Sequence, residues 1–180
     1  MDMTPLWVFG YASLTWNPGF DFEESVIGTL PGYRRSFSMR SIHHRGTPEA
    51  PGLVLALHEE TGAACTGLGF RVAPQKTEAT LDYLRARELI SSAYLERSLP
   101  LMLEDGREVR AVTYVLDTGH AQYCKGLPLE DQAQIIARAV GGRGPNTEYL
   151  YNTATHLRDL GIEDAELTWL ETRVRALDNV

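Results

Sequence analysis

The chain has 180 residues, 43% of them apolar, with 17 Lys and Arg against 24 Asp and Glu and a formal charge of −7. That length suits a single domain over 1–180 with a real buried core, and the apolar content excludes a disordered chain. The acidic balance argues against a nucleic-acid binder, which needs cationic surface to displace counterions. No apolar run approaches the roughly 18 residues needed to span a bilayer, so no membrane partner is expected.

The opening Met1-Asp2-Met3-Thr4-Pro5 has no basic stretch followed by an apolar one, so no secretory leader is expected. Cys65 and Cys124 are too few for a disulfide framework or a paired-Cys zinc pattern. They read as reduced thiols of a cytoplasmic protein. Cys65 lies in mid-strand sequence, with no turn that would expose a nucleophile.

In chain order, Leu6-Trp7-Val8-Phe9 is a short apolar run stopped by Gly10, which predicts a buried strand and a turn. Val26 to Leu30 and Arg35 to Met39 predict two strands separated by Pro31-Gly32. Leu53 to Leu57 predicts a fourth, and Glu60-Thr61-Gly62 a hairpin turn into Cys65 to Val72. Thr77 can cap a helix through about Ile90. Tyr94 to Leu103 and Val109 to Leu116 are extended, with Asp105-Gly106 turning between them. The last third is helical: Leu129 to Val140, then a helix capped by Asn146 and ended by Gly161. Asp164 opens a final helix carrying Leu167, Leu170, Val174 and Leu177. Gly141 to Pro145 reads as a short flexible joint. The class is α+β.

Four segments could carry chemistry. Phe9-Gly10-Tyr11-Ala12-Ser13-Leu14 is a strand entering a turn, either an ordinary turn or a nest of backbone N–H groups suited to a carboxylate. Glu88 stands four residues past Leu84 and seven past Leu81, which puts its carboxylate on the apolar stripe of a helix. Such a group is either ion-paired, with Arg87 or Arg85 at hand, or raised in pKa to shuttle protons. Arg45-Gly46-Thr47-Pro48-Glu49-Ala50-Pro51-Gly52 is a rigid, turned loop. His43 and His44 before it point to opposite faces and show no ligand spacing with His58, His120 or His156, so no metal is expected. Gly144 to Thr153 reads as mostly structural, with Asn146 an N-cap and Glu148 a first-turn acid.

Together these segments resemble the ChaC family of γ-glutamylcyclotransferases. Phe9-Gly10-Tyr11-Ala12-Ser13-Leu14 is similar to that family's phenylalanine-glycine-tyrosine-glycine-serine-leucine signature. Arg45-Gly46-Thr47-Pro48-Glu49, Tyr83-Leu84 with Arg87-Glu88, and Gly144-Pro145-Asn146 with Glu148-Tyr149-Leu150 match further blocks, in order. The resemblance implies a small mixed β-barrel or sheet flanked by helices. It implies a cofactor-free lyase that cleaves glutathione to 5-oxoproline and Cys-Gly, with Glu88 as general acid and base. Tyr11, Ala12, Ser13 and Leu14 would bind substrate, and Arg45 and Tyr123 (in His120-x-x-Tyr123) would contact it. A different γ-glutamyl amine, or a non-catalytic glutathione-binding role in regulating cation transport, are the other readings. Ala12 departs from the family's usual glycine, and its methyl group is tolerable only if φ there is negative.

Overall fold

Alternating and near-continuous apolar runs in the first half of the chain bury best as strands, and they do so here in a closed barrel. The computed structural model describes residues 4–89 and 92–178. Five strands form the barrel: β1 (Leu6–Gly10), β2 (Glu24–Ser41), β3 (Gly52–Val72), β4 (Tyr94–Leu103) and β5 (Glu108–Leu116), in the order β1-β3-β2-β4-β5. β1 pairs antiparallel with β3, Leu6 opposite Val72 and Gly10 opposite Leu68. It closes the barrel by pairing parallel with β5, Trp7 opposite Ala111 and Val8 opposite Val112. β4 and β5 form a hairpin, turned by Asp105-Gly106 as the sequence predicts, with Gly106 at φ 95°.

The chain contains two compact units. The first comprises Met1–Arg35 and Leu57–His120, and the second Ser36–Ala56 and Ala121–Val180. In the first, Val8, Phe9, Phe70, Leu101 and Ala111 are almost wholly buried. Leu101 lies over Gly28 and Gly69, where a Cβ would crowd it at about 3.1 and 3.0 Å. Helix α1 (Thr77–Glu88) follows a 3-10 turn, Pro74–Lys76, and places Leu84 in this core.

The second unit holds three helices, α2 (Leu129–Arg138), α3 (Asn146–Asp159) and α4 (Ala165–Asp178). Ile136, Leu150, Leu157, Leu170 and Val174 bury their side chains there. The 3 and 4 spacing of α4 is what puts Leu167, Leu170 and Val174 on one buried stripe. Asp164 caps α4, its Oδ1 accepting from Leu167 N at 3.1 Å. Glu171, buried on α4, is neutralised by Arg158 and by Arg175 at 3.2 Å.

The structure corrects several element boundaries. Pro31-Gly32 does not separate two strands, and Glu60-Thr61-Gly62 does not make a hairpin turn: β2 and β3 each run through as one strand. Gly32 and Gly62 take φ of 81° and 84°, so the glycines relieve a local backbone excursion within a strand rather than ending it. Thr77 is the first residue of α1 rather than its cap. That helix stops at Glu88, and Ile90 lies outside the described residues. α2 stops at Arg138 because Val140–Gly141 pairs with Gly144–Pro145 as strands β6 and β7.

The expected flexible joint is therefore a fixed hairpin. Gly142 N donates to His43 O at 2.8 Å and Arg143 N to His44 O at 2.9 Å. A Cβ at Gly141 would collide with the backbone of Arg45 and Gly46, so only glycine permits this approach.

Asn146 is not an N-cap. It is the first residue of α3, and its side chain makes no capping bond. Its Oδ1 instead accepts from Leu53 N at 2.8 Å, and its Nδ2 donates to Leu53 O at 2.8 Å. The amide thus acts as a one-residue strand partner for β3, at a position with no solvent exposure. Replacing it by alanine leaves a buried N–H and a buried C=O unsatisfied, each costing about 1–3 kcal/mol. Asn146→Ala is expected to lower unfolding stability by about 2–6 kcal/mol, read from the urea midpoint.

Candidate active site

β1 ends at Gly10 and the chain turns at once into the 3-10 turn Ser13–Thr15. That turn is closed by Thr15 N donating to Ala12 O at 2.9 Å, so the N–H groups of Ala12, Ser13 and Leu14 have no acceptor inside it. Ala12 has φ −145° and ψ −110°: the negative φ meets the condition the sequence set, while ψ lies outside the regions L residues favour. Tyr11, Ala12 and Leu14 are buried and Ser13 is half-buried.

The loop is held from three sides in the first unit. Tyr11 Oη donates to Tyr114 O at 3.1 Å. Arg35, buried, donates from Nη1 to Tyr11 O at 3.0 Å and to Thr66 O at 2.8 Å. Thr113 Oγ1 donates to Phe9 O at 3.2 Å, just upstream.

The fourth contact comes from α1. Arg87 donates from Nη2 to Ser13 Oγ at 3.1 Å, and from Nη1 to Asn17 O at 2.6 Å and Pro18 O at 3.2 Å. The same guanidinium has its Nε 3.5 Å from Glu88 Oε1, with the two side chains only 11% and 18% exposed. Of the two readings of Glu88, the structure displays the ion pair, and Arg87 is the partner. Glu88 stands at the last turn of α1, above the buried Leu84, so it occupies the rim of the apolar stripe and not its centre. An anion at a helix C-terminus opposes the helix dipole, which makes the neighbouring cation matter.

Arg85, the other candidate partner, is engaged elsewhere. Its Nε and Nη2 donate to the two carboxylate oxygens of Glu96 at 2.9 and 3.1 Å, and Tyr114 Oη donates to Glu96 Oε1 at 2.8 Å. Arg85, and after it the Tyr114 hydroxyl, hold the Glu96 carboxyl below the usual range, against the opposing effect of burial. Burial, then the Glu96 carboxylate and more weakly Glu88, push the Tyr114 phenol far above its ordinary value. Glu96 therefore stays ionised and Tyr114 protonated across neutral pH; this triad comes apart only in acid, as pH falls through the lowered Glu96 pKa.

The structure thus brings Tyr11, Ala12, Ser13, Leu14 and Glu88 into one connected region of the first unit. Arg45 and Tyr123 belong to the second. Arg45 is buried, with Nη1 donating to Pro145 O at 3.1 Å and Glu148 Oε1 at 3.4 Å, and its guanidinium facing the Tyr149 ring. Tyr123 bridges to Met39, flanked by Arg40 N donating to Gln122 O and Cys124 N donating to Ser38 O, both at 2.8 Å. Cys65 is buried in β3 and Cys124 half-buried, and neither forms a disulfide among the described residues.

Sequence reading missed Arg35, Glu96 and Tyr114, all inside strands whose charged or hydroxyl residues carry no spacing signal toward the loop. It named Arg87 as a possible ion-pair partner of Glu88 and within a matched block, but not its contact with Ser13, which spans 74 positions of chain.

The chain matches the family of ChaC-like proteins over residues 6–177. It is 39% identical over 176 residues to the glutathione-specific γ-glutamylcyclotransferase of Escherichia coli (strain K12), covering 98% of this chain and 75% of that one. It is 38% identical over 179 residues to γ-glutamylcyclotransferase 2-1 of Arabidopsis thaliana, covering 94% and 82%. The crystal structure of a γ-glutamyl cyclotransferase specific to glutathione from yeast superposes with a TM-score of 0.86 at 21% identity, covering 96% of each chain, which establishes a shared fold. The barrel, the turn at its first strand and the ordered sequence blocks agree with these matches: the chain belongs to the ChaC-like family.

Proposed function

We propose that this protein is a γ-glutamylcyclotransferase that cleaves glutathione to 5-oxoproline and Cys-Gly, acting as one cyclotransferase-like domain in the cytoplasm. The observation that carries the reading is the pairing of a mostly covered carboxylate, Glu88, with an N–H-lined turn, through one arginine. Relatives named for this reaction, at 39% and 31% identity in Escherichia coli and Homo sapiens, support it.

The chemistry needs little from the protein because the substrate carries its own nucleophile. The α-amine of the γ-glutamyl group attacks its own γ-carbonyl, closing a lactam ring, and the C–N bond to the cysteine nitrogen breaks. Holding the chain in the ring-closing conformer exploits proximity, worth about 7–11 kcal/mol in the best cases. The proton lost by the attacking nitrogen must reach the leaving one. Glu88, as a carboxylate, accepts it and then delivers it, a service of about 10²–10⁴-fold.

The N–H groups of the Tyr11 to Leu14 turn take the substrate carboxylate and polarise the γ-carbonyl as negative charge builds on its oxygen. Arg45 and Tyr123 enter as substrate contacts on motif position alone. The reaction as written calls on no cofactor.

Incubation with glutathione, followed by chromatography of the products, is expected to yield 5-oxoproline and Cys-Gly in equal amounts. Binding without product would reassign the protein to a non-catalytic role. Glu88→Gln, nearly isosteric, is expected to lower kcat by about 10²–10⁴-fold with an unchanged melting curve; unaltered turnover would remove Glu88 from the mechanism. Ala12→Gly is expected to change KM for glutathione by less than about threefold, since the methyl group already sits at negative φ. A large gain with another γ-glutamyl amine would instead make Ala12 a selector of substrate.

A further inference from the structure

Arg87 is tied to more of the candidate site than any role as counter-ion to Glu88 requires. One guanidinium reaches Ser13 Oγ, two consecutive loop carbonyls (Asn17 and Pro18), Tyr83 Oη at 3.1 Å and the Glu88 carboxylate. Arginine has donors and no acceptor, so Ser13 Oγ accepts in its contact with Nη2. The single proton of that hydroxyl is thereby turned away from α1. A hydroxyl that accepts from a cation is polarised, and its own O–H becomes a stronger donor.

We propose that Arg87 is a positioning residue: it aims and polarises the Ser13 hydroxyl as a donor to a carboxylate oxygen of the γ-glutamyl group, and fixes that donor against Glu88. The inference rests on the cyclotransferase reading and deepens it. Five acceptors shared by a planar fork set the offset between the loop that holds substrate and the carboxylate that moves its proton. A lysine would supply the charge but could not span the same acceptors.

The Tyr83 hydroxyl completes the arrangement. It accepts from Arg87 on the same helix, while its ring stands in an aromatic group with Phe20, at 6.5 Å between centroids. Phe20 in turn packs on Phe70 at 5.5 Å, edge to face. The segment after the loop is thus packed against α1 by rings as well as held by hydrogen bonds, so the clamp works between two supported elements.

The test is a double-mutant cycle on 5-oxoproline release from glutathione, using Ser13→Ala, Arg87→Lys and the two combined. Every variant is assayed below its own melting midpoint, so that a loss of stability in Arg87→Lys does not enter the rates. Each single change is expected to lower kcat/KM by about 10–100-fold, the range for losing a hydrogen bond to a charged group. Ser13→Ala is expected to act through KM, whereas Arg87→Lys also lowers kcat because Glu88 loses its fixed partner. The combined variant is expected to fall within about threefold of Arg87→Lys alone, since the serine acts through the arginine.

Added guanidinium ion is expected to restore part of the activity of Arg87→Ala, and to restore less when Ser13→Ala is also present. Losses that multiply in the combined variant, or an Arg87→Lys enzyme within threefold of the original, overturn the inference while leaving the reaction in place. Absence of 5-oxoproline from the unaltered protein overturns the reaction and the inference together.

Discussion

Closure of the barrel by the parallel pairing of β1 with β5 is the constraint on which the candidate site depends. It gives the short first strand a neighbour on each side: β3 pairs along Leu6 to Gly10, and β5 pairs at Trp7 and Val8. A strand held on both sides must leave the sheet at a defined place, and it leaves at Gly10. There the loop's backbone oxygens are taken up by barrel residues: Phe9 O by Thr113, and Tyr11 O by Arg35. The geometry of the turn is thus set by the barrel, and the proposed reaction uses the N–H groups that line it.

Two arginines on one helix divide the electrostatic work. Arg85 faces Glu96 and, through it, Tyr114, whose carbonyl accepts from Tyr11. Arg87 faces the loop and Glu88. The Glu96 carboxylate is paired with the Arg85 guanidinium and accepts a hydrogen bond from the neutral Tyr114 hydroxyl within its own cluster. The separation gives each carboxylate its own partner: Glu96 is tied into the Arg85–Tyr114 cluster, and Glu88, the group we propose for proton transfer, is paired with Arg87.

Much of the fold could be read from periodicity. The strands β1, β4 and β5 and the three C-terminal helices lie close to their expected positions, because each has a clean period or a strong terminal signal. The errors at Pro31-Gly32 and Glu60-Thr61-Gly62 have one cause. Turn-forming residues also serve as bulges inside long strands, and sequence does not distinguish the two uses. Asn146 misled for a related reason: an asparagine before a helix is the ordinary N-cap, and only tertiary structure reveals Leu53 as its real partner. Glu88 was visible because its helix is local. The contacts that hold the loop were not, since Arg35, Arg87 and Tyr114 each reach it across long stretches of chain.

The Asn146–Leu53 pair also bears on how the chain comes to be folded. The second unit is assembled from two separated stretches, 36–56 and 121–180, with residues 57–120 of the first unit between them in sequence. Asn146 bonds across 93 positions, and Tyr149 accepts from Leu55 N across 94. Contacts of such separation carry a large loop-closure cost and form late. On the ribosome, the strand at 52–56 must wait, with its outer hydrogen bonds open, until the start of α3 has been synthesised. The intervening barrel segment can close that gap by folding first, bringing distant parts of the chain together before the asparagine arrives.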